Sequence, residues 1–386
     1  MDTSTDAIRP LTIDIPQANL DDLHERLRRT RAASPLPDDS RAVGVPQAHL
    51  DRLVAAWLEL DWRAVEDRLD AFDHVATDID GQTIHAVHAR SPHADATPLV
   101  ITHGWPGSFL EHLGLVERLT RPELHGGSID DAFHVVIPSL PGFAFSTPLS
   151  PEADVSTTGI ARMWAELMTR LGYDRFVAQG GDIGAGIAPE LGRIAPERVI
   201  GVHVNGALGA FVTSEHADSL GELSDLERDR IARVDAFMQD ELAYIALQST
   251  RPALLGAMLA DSPVAQLAWI VDKLQAWSWP EEAPAEDVLG LDFVLANASL
   301  YWFTASAGTA AFVGYAQPQG WGETAEISGV PTAALQLAHD IGIRAAAEQE
   351  NRIVRWTDVD RGGHFAALEE PELLVDDLRA FVASLR

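Results

Sequence analysis

At 386 residues with 46% hydrophobic content, the chain can form one large or two modest domains around an ample core. It contains no cysteine, which excludes disulfides, thiol catalysis and thiolate metal sites. Its net charge of −30, with Lys273 the only lysine, gives a surface that repels phosphate backbones and anionic lipid, so neither nucleic acid nor a membrane surface is an expected partner. No run of 18 apolar residues occurs, and Met1-Asp2-Thr3-Ser4 opens no basic-then-apolar leader. The expectation is therefore a cytoplasmic protein without a membrane span or secretory signal.

In chain order, residues from about 10 to 70 place apolar side chains at helical spacing, over 19–27 and again over 46–57. A loop rich in proline and turn residues separates these two stretches at 32–40. Two β-like runs, 74–78 and 82–88, flank Asp80-Gly81, the dipeptide of a tight hairpin. A wound sheet is predicted to start at 98–102 and to continue at 134–138, 175–178 and 199–205. Helical stretches alternate with these strands, which implies a mainly parallel sheet with ligands at its carboxyl edge. From about 210 to 327 the pattern turns helical and aromatic-rich. Strands resume at 331–337 and 353–357, and an amphipathic helix follows Pro371. An insertion between two sheet strands is the expected place for a cap. The expected division is thus 1–95, helices and hairpin; 96–210, first part of an α/β core; 211–327, cap; and 328–386, second part of the core.

The most informative residues are Gly180-Gly181-Asp182-Ile183-Gly184, between the strand Arg175-Phe-Val-Ala and a small-residue helix. A strand that enters a helix through small-x-nucleophile-x-small is a nucleophile elbow, and its glycines relieve crowding in a sharp turn. Asp182 stands at the apex. A carboxylate is a poor acyl acceptor but a competent nucleophile at saturated carbon, where it leaves an alkyl ester on the enzyme. The pattern points to epoxide opening or halide displacement rather than ester hydrolysis.

His364, in Arg361-Gly-Gly-His-Phe-Ala-Ala-Leu-Glu-Glu, follows the last predicted strand, where such a fold places its base. A base of this kind needs a carboxylate to orient its ring. Asp340, just after the strand at 331–337, fits by chain order; Asp358, Asp360, Glu348 and Glu350 are the competitors. His103-Gly104-Trp105-Pro106-Gly107-Ser108 follows the strand at 98–102, so the backbone N–H groups of Trp105 and Ile183 are the expected oxyanion donors. Trp105, Pro106, Phe143 and Phe365 are the expected walls of a substrate pocket. Ring opening also needs a proton donor at the epoxide oxygen, and a phenol can serve while staying protonated at neutral pH. Of the four tyrosines, Tyr173 reads as structural, while Tyr244, Tyr301 and Tyr315 fall in the cap.

Taken together and in order, these motifs resemble the microsomal-type epoxide hydrolases, including their soluble bacterial and fungal members. The likeness runs from Trp57-Leu-Glu-Leu-Asp-Trp-Arg through the Asp80-Gly81 hairpin, His103-Gly-Trp-Pro-Gly-Ser and Pro141-Gly-Phe-Ala-Phe-Ser. It continues through Gln179-Gly-Gly-Asp, Asp261-Ser-Pro, Ala268-Trp-Ile and Gly362-Gly-His-Phe-Ala-Ala-Leu-Glu. The resemblance implies an α/β-hydrolase fold, a mainly parallel sheet flanked by helices, with a helical cap and an N-terminal helical extension. It implies Tyr244 and Tyr315 as acid catalysts, Tyr301 as a structural neighbour, Asp340 as the acid behind His364, no cofactor and no metal, and a homodimer. One departure is Ile183, where many members carry Trp. The expected activity is hydrolysis of an apolar epoxide, aromatic ones included, to a vicinal diol. The alternatives are a haloalkane dehalogenase, which generally has Trp at the position of Ile183, and a catalytically silent small-molecule binder.

Overall fold

In the computed structural model, which describes residues 7–209, 211–316 and 327–386, nine strands form one sheet in the order β1-β2-β3-β5-β4-β6-β7-β8-β9. They are β1 (Arg9–Pro10), β2 (His74–Ile79), β3 (Gln82–Ala89), β4 (Thr97–Thr102), β5 (Phe133–Pro138), β6 (Phe176–Gly180), β7 (Val199–Asn205), β8 (Pro331–Gln336) and β9 (Arg352–Asp358). The pairs β1–β2, β2–β3 and β3–β5 are antiparallel; all the others are parallel. The β2–β3 hairpin turns on Asp80 (φ 51°) and Gly81 (φ 78°). Two consecutive left-handed residues are what a two-residue turn matched to strand twist demands.

The central parallel strands are covered on both faces and are accordingly mostly apolar, while the edge strand β9 stays partly exposed. Leu99, Val100 and Ile101 of β4 and Val135, Val136 and Ile137 of β5 are fully buried. On one face, Thr157–Arg170 and Ile183–Ile194 bring Trp164, Leu167, Ile187 and Leu191 into the same core as Val100, Ala178 and Val202. On the other, Pro371–Ala383 brings Leu374, Leu378 and Phe381 into the core of Leu99, Val177 and Ala333. Each such fully buried side chain contributes about 1.5–3 kcal/mol relative to exposure.

Between β7 and β8 the chain leaves the sheet. Helices Asp225–Ala236, Ala243–Thr250, Pro252–Leu259, Pro263–Trp277, Leu291–Phe303 and Ala307–Ala316 build a cap. Ser224 and Glu227 close a reciprocal box at the start of the first, and the Ser262 hydroxyl accepts from the Ala265 N–H at the start of the fourth. The N-terminal helices Gln17–Arg28, Gln47–Leu58 and Trp62–Leu69 reach this cap directly. Trp57 Nε1 donates to Ser299 Oγ at 2.7 Å, His49 lies 2.9 Å from Glu286, and Arg41 donates to the Glu281 carbonyl at 2.7 Å. No helix among the described residues is long and apolar enough to cross a membrane.

Candidate active site

The elbow is as tight as its sequence demands. Asp182 has φ 55° and ψ −120°, a conformation that costs of order 1–3 kcal/mol and persists only where the surroundings enforce it. Those surroundings are backbone: a Cβ on Gly180 would lie 2.3 Å from the Gly184 carbonyl oxygen, and one on Gly184 would lie 2.2 Å from the Thr102 carbonyl oxygen. The strand, the helix start and β4 therefore meet with no side chains between them. Asp182 is pushed up at the carboxyl edge of the sheet.

The loop after β4 receives it. Asp182 Oδ1 accepts a 2.8 Å hydrogen bond from the Trp105 N–H, and the Ile183 N–H also reaches the carboxylate. A Cβ on Gly104 would stand 2.0 Å from Asp182 Oδ1, so only glycine leaves room for the side chain. The other carboxylate oxygen, Oδ2, faces His364 Nε2 at 3.4 Å. Burial would raise the Asp182 pKa, but the hydrogen bond and charge of His364 and the two backbone donors outweigh it and hold the carboxyl below its ordinary range. His364 responds in the opposite direction. Burial would lower its pKa, while Asp182, Asp340 and Glu111 together raise it.

His364 lies on the loop after β9, and that loop is tied down at several points. Its N–H donates to the Trp277 carbonyl at 2.9 Å. The Glu369 carboxylate accepts from the N–H groups of Gly363 (2.7 Å), Phe365 (2.9 Å) and Trp279 (2.9 Å). Asp340 is 5% exposed and sits just beyond β8, where its Oδ2 accepts from the Leu337 N–H at 2.6 Å. Burial pushes its pKa up to about 6 against the pull of the Leu337 N–H, His364 and Arg230. Among its sequence competitors, Asp358 is paired instead with Arg230 at 2.7 Å, and Glu348 with Arg344 on the surface.

The cap supplies aromatic rings. Tyr244 stacks on Trp105 with ring centroids 5.1 Å apart and meets Trp277 edge-on at 5.3 Å. Burial first, then the charges of Asp182 and Glu241, raise its phenol well above the ordinary tyrosine value, so it is a protonated donor. Tyr301 is fully buried and donates to the Gly107 carbonyl at 2.8 Å, which fixes the loop after β4. Tyr315 belongs to the helix Ala307–Ala316, but its side chain lies outside the described residues. Trp105 and Phe365 line the cavity at Asp182. Pro106 and Phe143 stand behind it: the Pro106 carbonyl accepts from Asn297, and Phe143, fully buried, packs edge-on to His103 and Tyr301. Neither lines this small cavity.

The same cavity includes groups that the sequence reading passed over: Glu111, His112 and Asn205. Asn205 ends β7 beside the elbow strand, a position at the carboxyl edge that could have been read from the strand assignment. Glu111 and His112 begin a short helical turn after Ser108, and no spacing rule distinguishes them from surface residues.

An aspartate elbow, an imidazole on the loop after the last strand and a cap inserted between β7 and β8 define an α/β-hydrolase. Residues 97–371 match the alpha/beta hydrolase fold family, and residues 8–112 match the family described as epoxide hydrolase N terminus. A protein of Stigmatella aurantiaca (strain DW4/3-1), provisionally named as an epoxide hydrolase, is 40% identical over 383 residues, which cover 98% of this chain and 86% of that protein. Epoxide hydrolase 1 of Sus scrofa is 31% identical over 409 residues, 98% of this chain and 89% of that one. The solved structure of Aspergillus niger epoxide hydrolase superposes with a TM-score of 0.86 at 32% identity, covering 100% of this chain and 98% of that one. The chain belongs to the epoxide hydrolases, in their microsomal-type family.

Proposed function

We propose that this enzyme opens apolar, aromatic epoxides through a covalent ester on Asp182. The observation that carries the reading is the division of labour between the two carboxylate oxygens. Oδ1 rests on the Trp105 N–H, and Oδ2 faces His364 across 3.4 Å. Oδ2 attacks a ring carbon, the C–O bond of the epoxide breaks, and the oxygen that leaves takes a proton from a cap phenol. Tyr244 and Tyr315 are the phenols assigned to this step. Oδ1 becomes the carbonyl oxygen of the ester. His364, with Asp340 behind it, then takes a proton from water, and the resulting hydroxide adds to the ester carbonyl. The backbone N–H groups of Trp105 and Ile183 stabilise the oxyanion, a contribution of about 3 kcal/mol per donor in comparable sites. The intermediate collapses with cleavage of the acyl C–Oδ2 bond, the departing diol oxygen takes the proton back from His364, and the proton left on the regenerated Asp182 carboxyl returns through solvent to the cap phenolate. Trp105, Trp277, Tyr244 and Phe365 around the nucleophile support an aromatic substrate.

The test is a single turnover of styrene oxide in ¹⁸O-labelled water, with mass analysis of the diol and of the digested enzyme. An unlabelled diol with label left on the Asp182 peptide is the expected result. A labelled first-turnover diol means that water attacks the ring directly, and the role of Asp182 falls. In the same assay His364→Gln should accumulate the ester as a mass increment on the protein.

A further inference from the structure

The cavity beside Asp182 and His364 offers space for the centre of about one water, ≈ 10 Å³. Its walls include Trp105, Asp182, His364, Glu111, His112 and Asn205, and Tyr244 is not among them. Glu111 and His112 have no part in the mechanism above, yet both are buried, at 9% and 4% exposure. Neither ring nitrogen of His112 has a hydrogen-bond partner among the described residues. Buried polar groups of native proteins are paired, and in a polar cavity of this size the partner that fits is water.

Glu111 is brought there by the loop. The two glycines of His103-Gly104-Trp105-Pro106-Gly107-Ser108 each make room for one carboxyl group. A Cβ on Gly104 would collide with Asp182, and a Cβ on Gly107 would lie 1.3 Å from Glu111 Oε1. One backbone segment thus sets two carboxyl groups side by side at one small cavity. We infer that the Glu111 carboxyl, with His112 beside it, holds the hydrolytic water against the Asp182 ester for His364 to deprotonate. This assignment rests on Asp182 being the nucleophile.

Protonation states fit this task. Burial pushes the Glu111 carboxyl up to about 8, with Asp182 adding to the rise and His364 and the Ser108 backbone opposing it. At neutral pH it is an uncharged acid, so it accepts a hydrogen bond from water without competing with His364 for the proton. It also spares Asp182 a like-charged neighbour. Burial lowers His112 to about 3, and the neutral ring offers water one donor and one acceptor. In the step itself, water gives one proton to His364 Nε2, its oxygen bonds to the ester carbonyl carbon, and Glu111 exchanges no proton.

The test follows ester formation and ester hydrolysis separately, by rapid quench with styrene oxide and intact-protein mass, in wild type, Glu111→Leu, Glu111→Gln and Gly107→Ala. Glu111→Leu fills the space without a polar group. It should still form the ester and hydrolyse it about tenfold to a hundredfold more slowly, as expected for one lost hydrogen bond at a reacting group. Glu111→Gln keeps a neutral acceptor and should recover most of that rate. Gly107→Ala, which displaces the carboxyl, should behave like Glu111→Leu. Hydrolysis at the wild-type rate in Glu111→Leu overturns the assignment. So does equal loss of both steps, which would mark a structural role. Absence of any ester in wild type, by contrast, removes the Asp182 mechanism itself, and this assignment with it. A crystal structure of the wild-type enzyme gives a reading independent of any variant. Water bonded to both Glu111 and His364 is expected, and a dry cavity refutes the proposal.

Discussion

At the scale of single residues, the site turns on one pair of charges, Asp182 and His364. Each shifts the other toward its charged form, and burial opposes both. An imidazole that a carboxylate pushes toward its protonated form is less available as a base, a state unsuited to activating water. The proposed covalent step would resolve this. With Asp182 esterified as proposed, its charge would be gone, the strongest influence raising His364 would disappear, and burial would then favour the neutral ring. The base would be released when water has to be deprotonated. The sign can be checked by NMR titration of the His364 ring. In wild type its pKa should lie above the ordinary imidazole value of about 6.5. In Asp182→Asn, which copies the uncharged ester, it should lie lower than in wild type. An equal or higher value in Asp182→Asn would mean that Asp340 dominates His364, and the release argument would fail.

At the scale of elements, the question is how Tyr244 is delivered. It begins the helix Ala243–Thr250, immediately after a π-helical turn over Phe237–Glu241. Turns of this kind are rare and recur at functional sites. Lys273, nearly buried on the helix Pro263–Trp277, ties the turn down: its ammonium pairs with Glu241 and with Asp272, and stands 5.4 Å from the Tyr244 ring centroid. The only lysine of the chain thus holds the segment that carries a phenol and neutralises Glu241, whose charge otherwise raises that phenol further. Lys273→Met keeps the length and removes the charge. Because both carboxylates are about a third exposed, losing the ammonium should cost only about 1 kcal/mol of stability, which a urea titration reads. In rapid-quench mass analysis, ester formation should slow more than ester hydrolysis, because only the first step uses the phenol. If the two slow alike, Lys273 serves stability alone. Lys273 also shows where sequence reading stops. The hairpin and the elbow were legible because each is enforced within a few residues, by left-handed turn positions and by glycines against backbone. His364 and Asp340 were legible as places at strand ends. Glu111 and Lys273 acquire meaning only from partners far along the chain, and a carboxylate or an ammonium with distant partners carries no local signature.

At the scale of the whole molecule, the N-terminal helices read from sequence as helical stretches without an evident partner, because the surfaces they bury against, on the cap and the sheet, lie far along the chain. Trp57 is 1% exposed, with its indole N–H on Ser299. Trp62 meets Phe303 edge-on with centroids 4.9 Å apart, and Arg26 donates to the Asp261 carbonyl at 2.9 Å. Cap, sheet and N-terminal segment should therefore unfold together. Trp57→Ala should lower stability by about 3–5 kcal/mol, the cost of an emptied aromatic site. Trp57→Phe keeps most of the packing and gives up one hydrogen bond, worth about 1 kcal/mol. The Ser299 hydroxyl is not orphaned by either change, because it also donates to the Leu295 carbonyl at 2.7 Å. The two variants therefore separate packing from hydrogen bonding, and urea midpoints should rank wild type, Phe, Ala in falling order. Far-UV circular dichroism and tryptophan fluorescence should give one midpoint in wild type. Two midpoints would mean that the N-terminal segment or the cap can leave the sheet on its own, and the Trp57 contact would then be a latch between separately stable parts rather than a shared core.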